Sequence, residues 1–150
     1  MATSKNIGIE GAHARTIFAV IKLSAFVSYQ VLVGFGAAPP SGGLFSLTTE
    51  GSAAPGSYYF SGGSADVKGG TTDLSWHIHT VSFDGTKVSW RVDGVLLPSF
   101  PAALPLDTSA SPLRLAAVAD YAEVIVVDRL VGVTEDTAIV KYLTGKYAIY

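Results

Sequence analysis

The sequence predicts an antiparallel β-sandwich of jelly-roll type with one short C-terminal α-helix, and three observations carry that prediction. Runs rich in Val, Ile, Phe and Tyr recur between Gly-, Pro- and Asp-containing breaks, about nine of them, with turn signals every ~8–12 residues. The stretch Trp76–Leu97, WHIHTVSFDGTKVSWRVDGVLL, reads as strands reversed at two Asp-Gly steps. Helical periodicity enters only near the end of the chain, after residue 133.

Composition agrees with that class. At 150 residues the chain makes a single domain, 1–150, long enough to bury a core without cross-links. It is 49% hydrophobic and 15% charged, with 16 Gly and 7 Pro, which suits a turn-rich all-β protein rather than a helical bundle. The net charge of −2 offers no electrostatic handle for nucleic acid or an anionic membrane. The absence of Cys removes disulfides, thiolate metal sites and a Cys nucleophile, and no cofactor is expected. The apolar run 16–38 carries Lys22 and Gln30 and is rich in β-branched residues, so it reads as two strands and not as a signal peptide or membrane span.

In chain order, residues 1–6 form a polar start and Ile7–Glu10 a short strand ending at Gly11. Arg15–Leu23 has apolar groups on both faces, the mark of a strand covered on both sides. Tyr29–Phe35, Leu44–Thr49 and Ser57–Ser61 follow as strands, with GAAPPSGG (36–43) between the first two and a Gly/Ala/Pro loop before the third. Residues 62–73 read as a loop. In the central hairpin, Val88, Trp90 and Val92 share one face. A connection with an even number of residues puts His77, His79, Val81 and Phe83 on that same face, with Trp76 and Ile78 opposite. Asp84-Gly85 and Asp93-Gly94 are the reversals, since Gly accepts positive φ and Asp satisfies local donors. The stretch 98–112 holds four of the seven prolines and cannot continue a ladder. Leu113–Val118 and Tyr121–Arg129 are the last strands. The helix is expected to start at a Thr134 N-cap, with Glu135 and Asp136 in its first turn and Ala138, Ile139, Tyr142 and Leu143 as its apolar stripe.

The segments 76–94 and AEVIVVDRL at 122–130, followed by TEDTAIVKYLTGKY at 134–147, together resemble the concanavalin A-like, laminin G-type jelly-roll modules of phage and bacterial surface proteins. The resemblance covers the last half of the chain, with Arg15–Leu23 similar to an early strand. It implies a non-catalytic surface module acting by binding or assembly: a virion decoration, spike or fibre component or an adhesin-like domain, at a virion or cell surface, with a saccharide as one partner and a copy of itself or another subunit as the other. A free-standing lectin is the alternative, and a glycoside hydrolase the third reading. Such modules usually carry a further strand before the one matching Arg15–Leu23, where only residues 1–14 are available here, and a missing or short edge strand would leave backbone groups for a neighbouring subunit to cover. The loop that holds calcium ligands in relatives is reduced here to Val118–Asp120, with Asp120 its only carboxylate, so that site is not expected.

Hydrolysis of a glycoside needs two carboxylates facing one cleft. The nearest pair, Glu123 and Asp128, is offset by five residues and falls on opposite strand faces, so Glu123 is assigned a structural role and no catalytic residue is expected. His77 and His79 put two imidazoles on one face, a spacing zinc sites use, with His13, Glu10 or Asp66 as nominal third ligands. The reading preferred is a hydrogen-bonded pair beside Trp90. Trp76, Trp90, Asp84, Gly85, Asp93 and Gly94 are read as structural. Of Tyr58 and Tyr59, one must point away from the core, and exposed aromatics stack on sugar rings, so this pair is the carbohydrate-binding candidate.

Overall fold

The computed structural model describes residues 2–37, 42–50, 56–62, 67–97 and 106–149. They form eleven strands and one helix: β1 (Ala2–Asn6), β2 (Arg15–Leu23), β3 (Gln30–Gly36), β4 (Leu44–Glu50), β5 (Ser57–Ser61), β6 (Val67–Thr71), β7 (Trp76–Phe83), β8 (Val88–Val92), β9 (Val95–Leu96), β10 (Pro112–Leu115), β11 (Ala119–Val127) and α1 (Val133–Tyr147). A six-stranded sheet in the order β1-β10-β3-β4-β5-β6 faces a five-stranded sheet in the order β11-β2-β7-β8-β9, with every pairing antiparallel.

The molecule has three layers, and β2 shows why. Ile17, Ala19, Ile21 and Leu23 enter the core between the sheets, while Phe18 and Val20 point out toward α1, where Ile78, Val131, Leu143 and Ile149 join them. Strand β7 lies between β2 and β8 and is buried on both faces in the same way. The pairs Phe83↔Val88, Val81↔Trp90 and His79↔Val92 confirm the expected hairpin face. Its connection is four residues long and held by Asp84, whose Oδ1 accepts from the amides of Thr86 and Lys87 at 2.8 and 2.7 Å. At the second reversal Asp93 and Gly94 both have positive φ, 54° and 79°, as a two-residue type I′ turn requires.

Four expectations are corrected. The N-terminal strand is β1 and not Ile7–Glu10; it pairs with β10, so the six-stranded sheet does have its outer strand there. Residues 62–73 are not all loop, because β6 pairs with β5. Its VKGGT lacks strand character for a packing reason: a Cβ on Gly69 would lie 1.9 Å from Cζ3 of Trp90. The helix starts two residues early, with Gly132 as N-cap and no side-chain cap, so Thr134 lies inside it. Its buried stripe is Asp136, Ile139, Val140, Leu143 and Tyr147, while Ala138 and Tyr142 face solvent.

Candidate functional site

Strands β2 and β7 run antiparallel with Arg15 opposite Phe83 and Lys22 opposite Trp76, so the sandwich has two distinct ends. At the Arg15 end, the guanidinium is fully buried and stands 5.5–5.6 Å from the rings of Phe35, Phe45 and Phe83. It donates to the carbonyls of His13 and Gly11 at 2.7 and 2.6 Å and to the Thr108 hydroxyl. Burial pulls its pKa down to about 10, so it stays charged at neutral pH. Above it is a cleft of about 530 Å³ lined by Glu10, Gly11, His13, Gly43, Asp107, Thr108 and Ser109, with no Trp, Tyr or Phe among the described lining residues.

At the opposite end a cleft of about 430 Å³ is lined by Asp73, Ser75, Trp76, His77, Asp93, Tyr147, Ala148 and Ile149. The imidazole of His77 is clamped between two carboxylates: Nδ1 lies 2.7 Å from Asp93 Oδ2 and Nε2 lies 2.9 Å from Asp73 Oδ1. The hydrogen bond to Asp93 chiefly, against the opposing cost of burial, raises the His77 pKa to about 9, and both aspartates are held below the usual carboxylate range. Each aspartate is itself fixed by the backbone. Asp73 Oδ1 accepts from the amide of Ser75 at 2.7 Å, and Asp93 Oδ1 accepts from the amide of Ile78 at 2.9 Å. The Asp73 side chain is 58% exposed, and Trp76 remains 37% exposed at the wall. This cleft therefore pairs an aromatic surface with prearranged hydrogen-bonding groups, the makeup of a small-molecule site.

Behind it stands an aromatic wall. Tyr58 meets His79 and Trp90 edge-on at 4.7 and 5.8 Å, and Trp90 Nε1–H donates to His79 Nδ1 at 3.3 Å. Desolvation lowers the His79 pKa to about 3, with the charge of His77 acting in the same direction. Two histidines two residues apart are thus held in opposite states, His77 charged and His79 neutral.

No protein-family model matches the sequence, and no curated protein does either. Among solved structures, domain 4 of AbnA, a GH43 extracellular arabinanase from Geobacillus stearothermophilus in complex with arabinotriose, aligns with a TM-score of 0.59 at 12% identity, over 91% of this chain and 70% of that one. A botulinum neurotoxin type C structure, reported with cell entry dependent on interaction with two ganglioside molecules, aligns with a TM-score of 0.58 at 8% identity, over 87% of this chain and 36% of that one. The chain thus spans about a third of the toxin structure. At these identities the likeness is one of fold, the β-sandwich.

The sequence-derived candidates fall as follows. Tyr58 is 2% exposed and belongs to the core, so it presents no sugar-binding face; Tyr59 points outward on the six-stranded sheet. His77 and His79 share a face, with ring centroids 6.2 Å apart, yet their partners are carboxylates and an indole. Among the described residues no group of three metal-ligating side chains assembles. His13 and Glu10 line the cleft at the far end, and Asp66 lies outside the described residues. Glu123 bonds Lys146 Nζ and the Tyr147 hydroxyl, each at 3.0 Å, while Asp128 lines a separate cleft with Gly8, Ile9, Glu10 and His13. Trp90 is fully buried in the core between the sheets. Trp76, read as structural, is at the cleft wall. Asp73 was missed, although its spacing of four from His77 across a turn-rich TTDLSWH is the signal that would have drawn attention to it.

Proposed function

We propose that this chain is a saccharide-binding module whose site is the cleft formed by Trp76, Asp73, His77, Asp93 and Tyr147. The observation that carries the reading is the exposed Trp76 ring beside carboxylates already fixed by His77 and by backbone amides. Sugar rings stack on aromatic faces through their C–H groups, and oriented carboxylates accept from hydroxyls without having to be ordered on binding. Two carboxylates and one imidazolium sum to a single negative charge in the cleft near neutral pH. That charge favours neutral and amino sugars over sialylated or uronic ones. The fold shared with an arabinotriose-bound domain and with a ganglioside-dependent toxin supports a binding role. The test is a glycan array probed with the wild-type protein and Trp76→Ala. Retention of neutral glycans by the wild type alone supports the reading, and equal binding by both, or none by either, contradicts it.

A second reading is assembly, in a virion or at a cell surface, through self-association or a partner subunit. Edge strand β9 favours it, since Val95 and Leu96 are both exposed on two residues that end the five-stranded sheet. Sedimentation velocity separates the two. Concentration-dependent dimer supports assembly, and a monomer at the highest attainable concentration contradicts self-association.

A further inference from the structure

A second aromatic cluster, Tyr29 exposed and Tyr59 half-buried, sits at the same end of the sandwich as the Trp76 cleft, on the other sheet. Tyr29, in the β2–β3 connection, is 77% exposed and has a left-handed backbone with φ of 57°, which a bulky residue rarely adopts. Its amide donates to Thr49 O at 2.7 Å and its hydroxyl donates to Glu50 Oε1 at 3.0 Å. The Tyr59 hydroxyl donates to the same carboxylate, and Lys68, paired with Tyr59 across the sheet, adds a cation. Thr49 Oγ1 donates to Val27 O at 2.6 Å and Thr48 Oγ1 to Tyr59 O at 3.1 Å, so both the connection carrying Tyr29 and the strand carrying Tyr59 are fastened to β4.

Register links this cluster to the cleft. Glu50 pairs with Ser57, Ser57 pairs with Thr71, and the Thr72 amide donates to Gly56 O at 3.0 Å, one residue before Asp73. Adjacent strands lie about 4.8 Å apart and facing sheets about 10 Å apart, so the tyrosines and the Trp76 cleft share one end of the sandwich on its two sheets, within the reach of an extended oligosaccharide. The ring of Tyr29 fills no place in the core. Two phenols oriented by one carboxylate, beside a lysine, repeat the combination of aromatic face and fixed hydrogen-bonding groups found at Trp76.

We infer that Tyr29, Glu50 and Tyr59 form a second saccharide subsite, so that the module grips a neutral glycan chain at two places. The inference rests on the saccharide-binding reading of the Trp76 cleft. Two weak contacts on one chain multiply, because once the first is made the second is intramolecular. Chains are therefore held far more tightly than their single sugars.

The experiment is calorimetric titration of the full chain with arabinose and glucose as monosaccharides and arabinohexaose and maltohexaose as chains. The proteins compared are wild type, Trp76→Ala, the double variant Tyr29→Ala/Tyr59→Ala and the double variant Tyr29→Phe/Tyr59→Phe. The alanine double variant is expected to lose about tenfold or more in affinity for the chain that binds, with monosaccharide affinity unchanged. The phenylalanine double variant, which keeps the stacking faces, is expected to recover most of that loss. Hexasaccharide affinity of the alanine double variant equal to wild type, while Trp76→Ala loses binding, overturns the second subsite and leaves the cleft standing. Failure of the wild type to bind any of the four sugars overturns the cleft reading and this inference with it.

Discussion

Arg15 and His77 are both cations held within the sandwich, about 20 Å apart along the β2–β7 pair, and they are held in different ways. Among the described residues Arg15 has no carboxylate as a hydrogen-bond partner. Two carbonyls and a hydroxyl take its protons while three phenylalanine rings surround it. His77 sits between two carboxylates, one of them largely exposed, with an exposed indole next to it. A buried cation whose acceptors are all backbone or hydroxyl ties loops together and does no more. A cation that fixes carboxylates at a cleft leaves those oxygens oriented for something else. The Arg15 end serves the fold, and the His77 end is the one proposed to take the ligand.

The largest test of that contrast is Arg15→Ala. It leaves the carbonyls of Gly11 and His13 and the Thr108 hydroxyl without their donor and opens a void among three rings. A loss of about 3–5 kcal/mol in urea denaturation is expected, with sugar affinity of the remaining folded protein unchanged. Next is Gly69→Ala, which drives a methyl into Trp90 in the wall behind the cleft. Overpacking of this kind costs about 1–3 kcal/mol, and here, unlike at Arg15, saccharide affinity should fall as well.

The two histidines sharpen the comparison through pH. His79 is neutral in the fold and has its ordinary value when unfolded, so the unfolded chain binds the extra proton between pH 3 and 6.5, and stability rises with pH across that window. His77 is raised to about 9, so the folded chain binds the extra proton between pH 6.5 and 9, and stability falls there. Below about pH 4 the depressed Asp73 and Asp93 add to the loss of stability as acid is added. Denaturation midpoints should therefore peak near pH 6.5. The slope reaches at most about 1.4 kcal/mol per pH unit on the acid side and is shallower on the alkaline side, where solvent screens His77. His77→Gln should flatten the alkaline limb and also make the acid limb shallower, because the charge and hydrogen bonds of His77 help hold His79, Asp73 and Asp93 below their ordinary values. The smallest effect belongs to Trp76→Ala. Its partly exposed ring should change stability by no more than about 0.5 kcal/mol, as chemical denaturation will report, although binding is lost.

The sequence made the hairpin legible because its turn chemistry is local. Asp84 caps its own loop, and Asp93-Gly94 supplies the positive φ of a two-residue turn. The two-faced burial of Arg15–Leu23 was legible for the same reason. Strand β6 was not, since the requirement for Gly69 comes from Trp90 in the opposite sheet and erases the pattern that marks a strand. Strand β1, ATSKN, has no apolar alternation and exists by pairing with β10. The helix was legible but its phase was not, because a buried Asp136 holds a position that periodicity assigns to an apolar side chain. At the sites, alternation puts Tyr58 and Tyr59 on opposite faces, but which of them is buried is set by packing against His79 and Trp90. Nothing local joins Asp73 to Asp93, or Tyr29 to Glu50 and Tyr59, because register and turn geometry bring them together.

The most direct measurement follows the two indole N–H resonances of the 15N-labelled protein during titration with arabinohexaose and maltohexaose. Trp90 is buried and bonded to His79, so it serves as the internal control. A saturable shift of the Trp76 signal with Trp90 unmoved is the expected result. A Trp76 signal that stays fixed with both sugars contradicts the account.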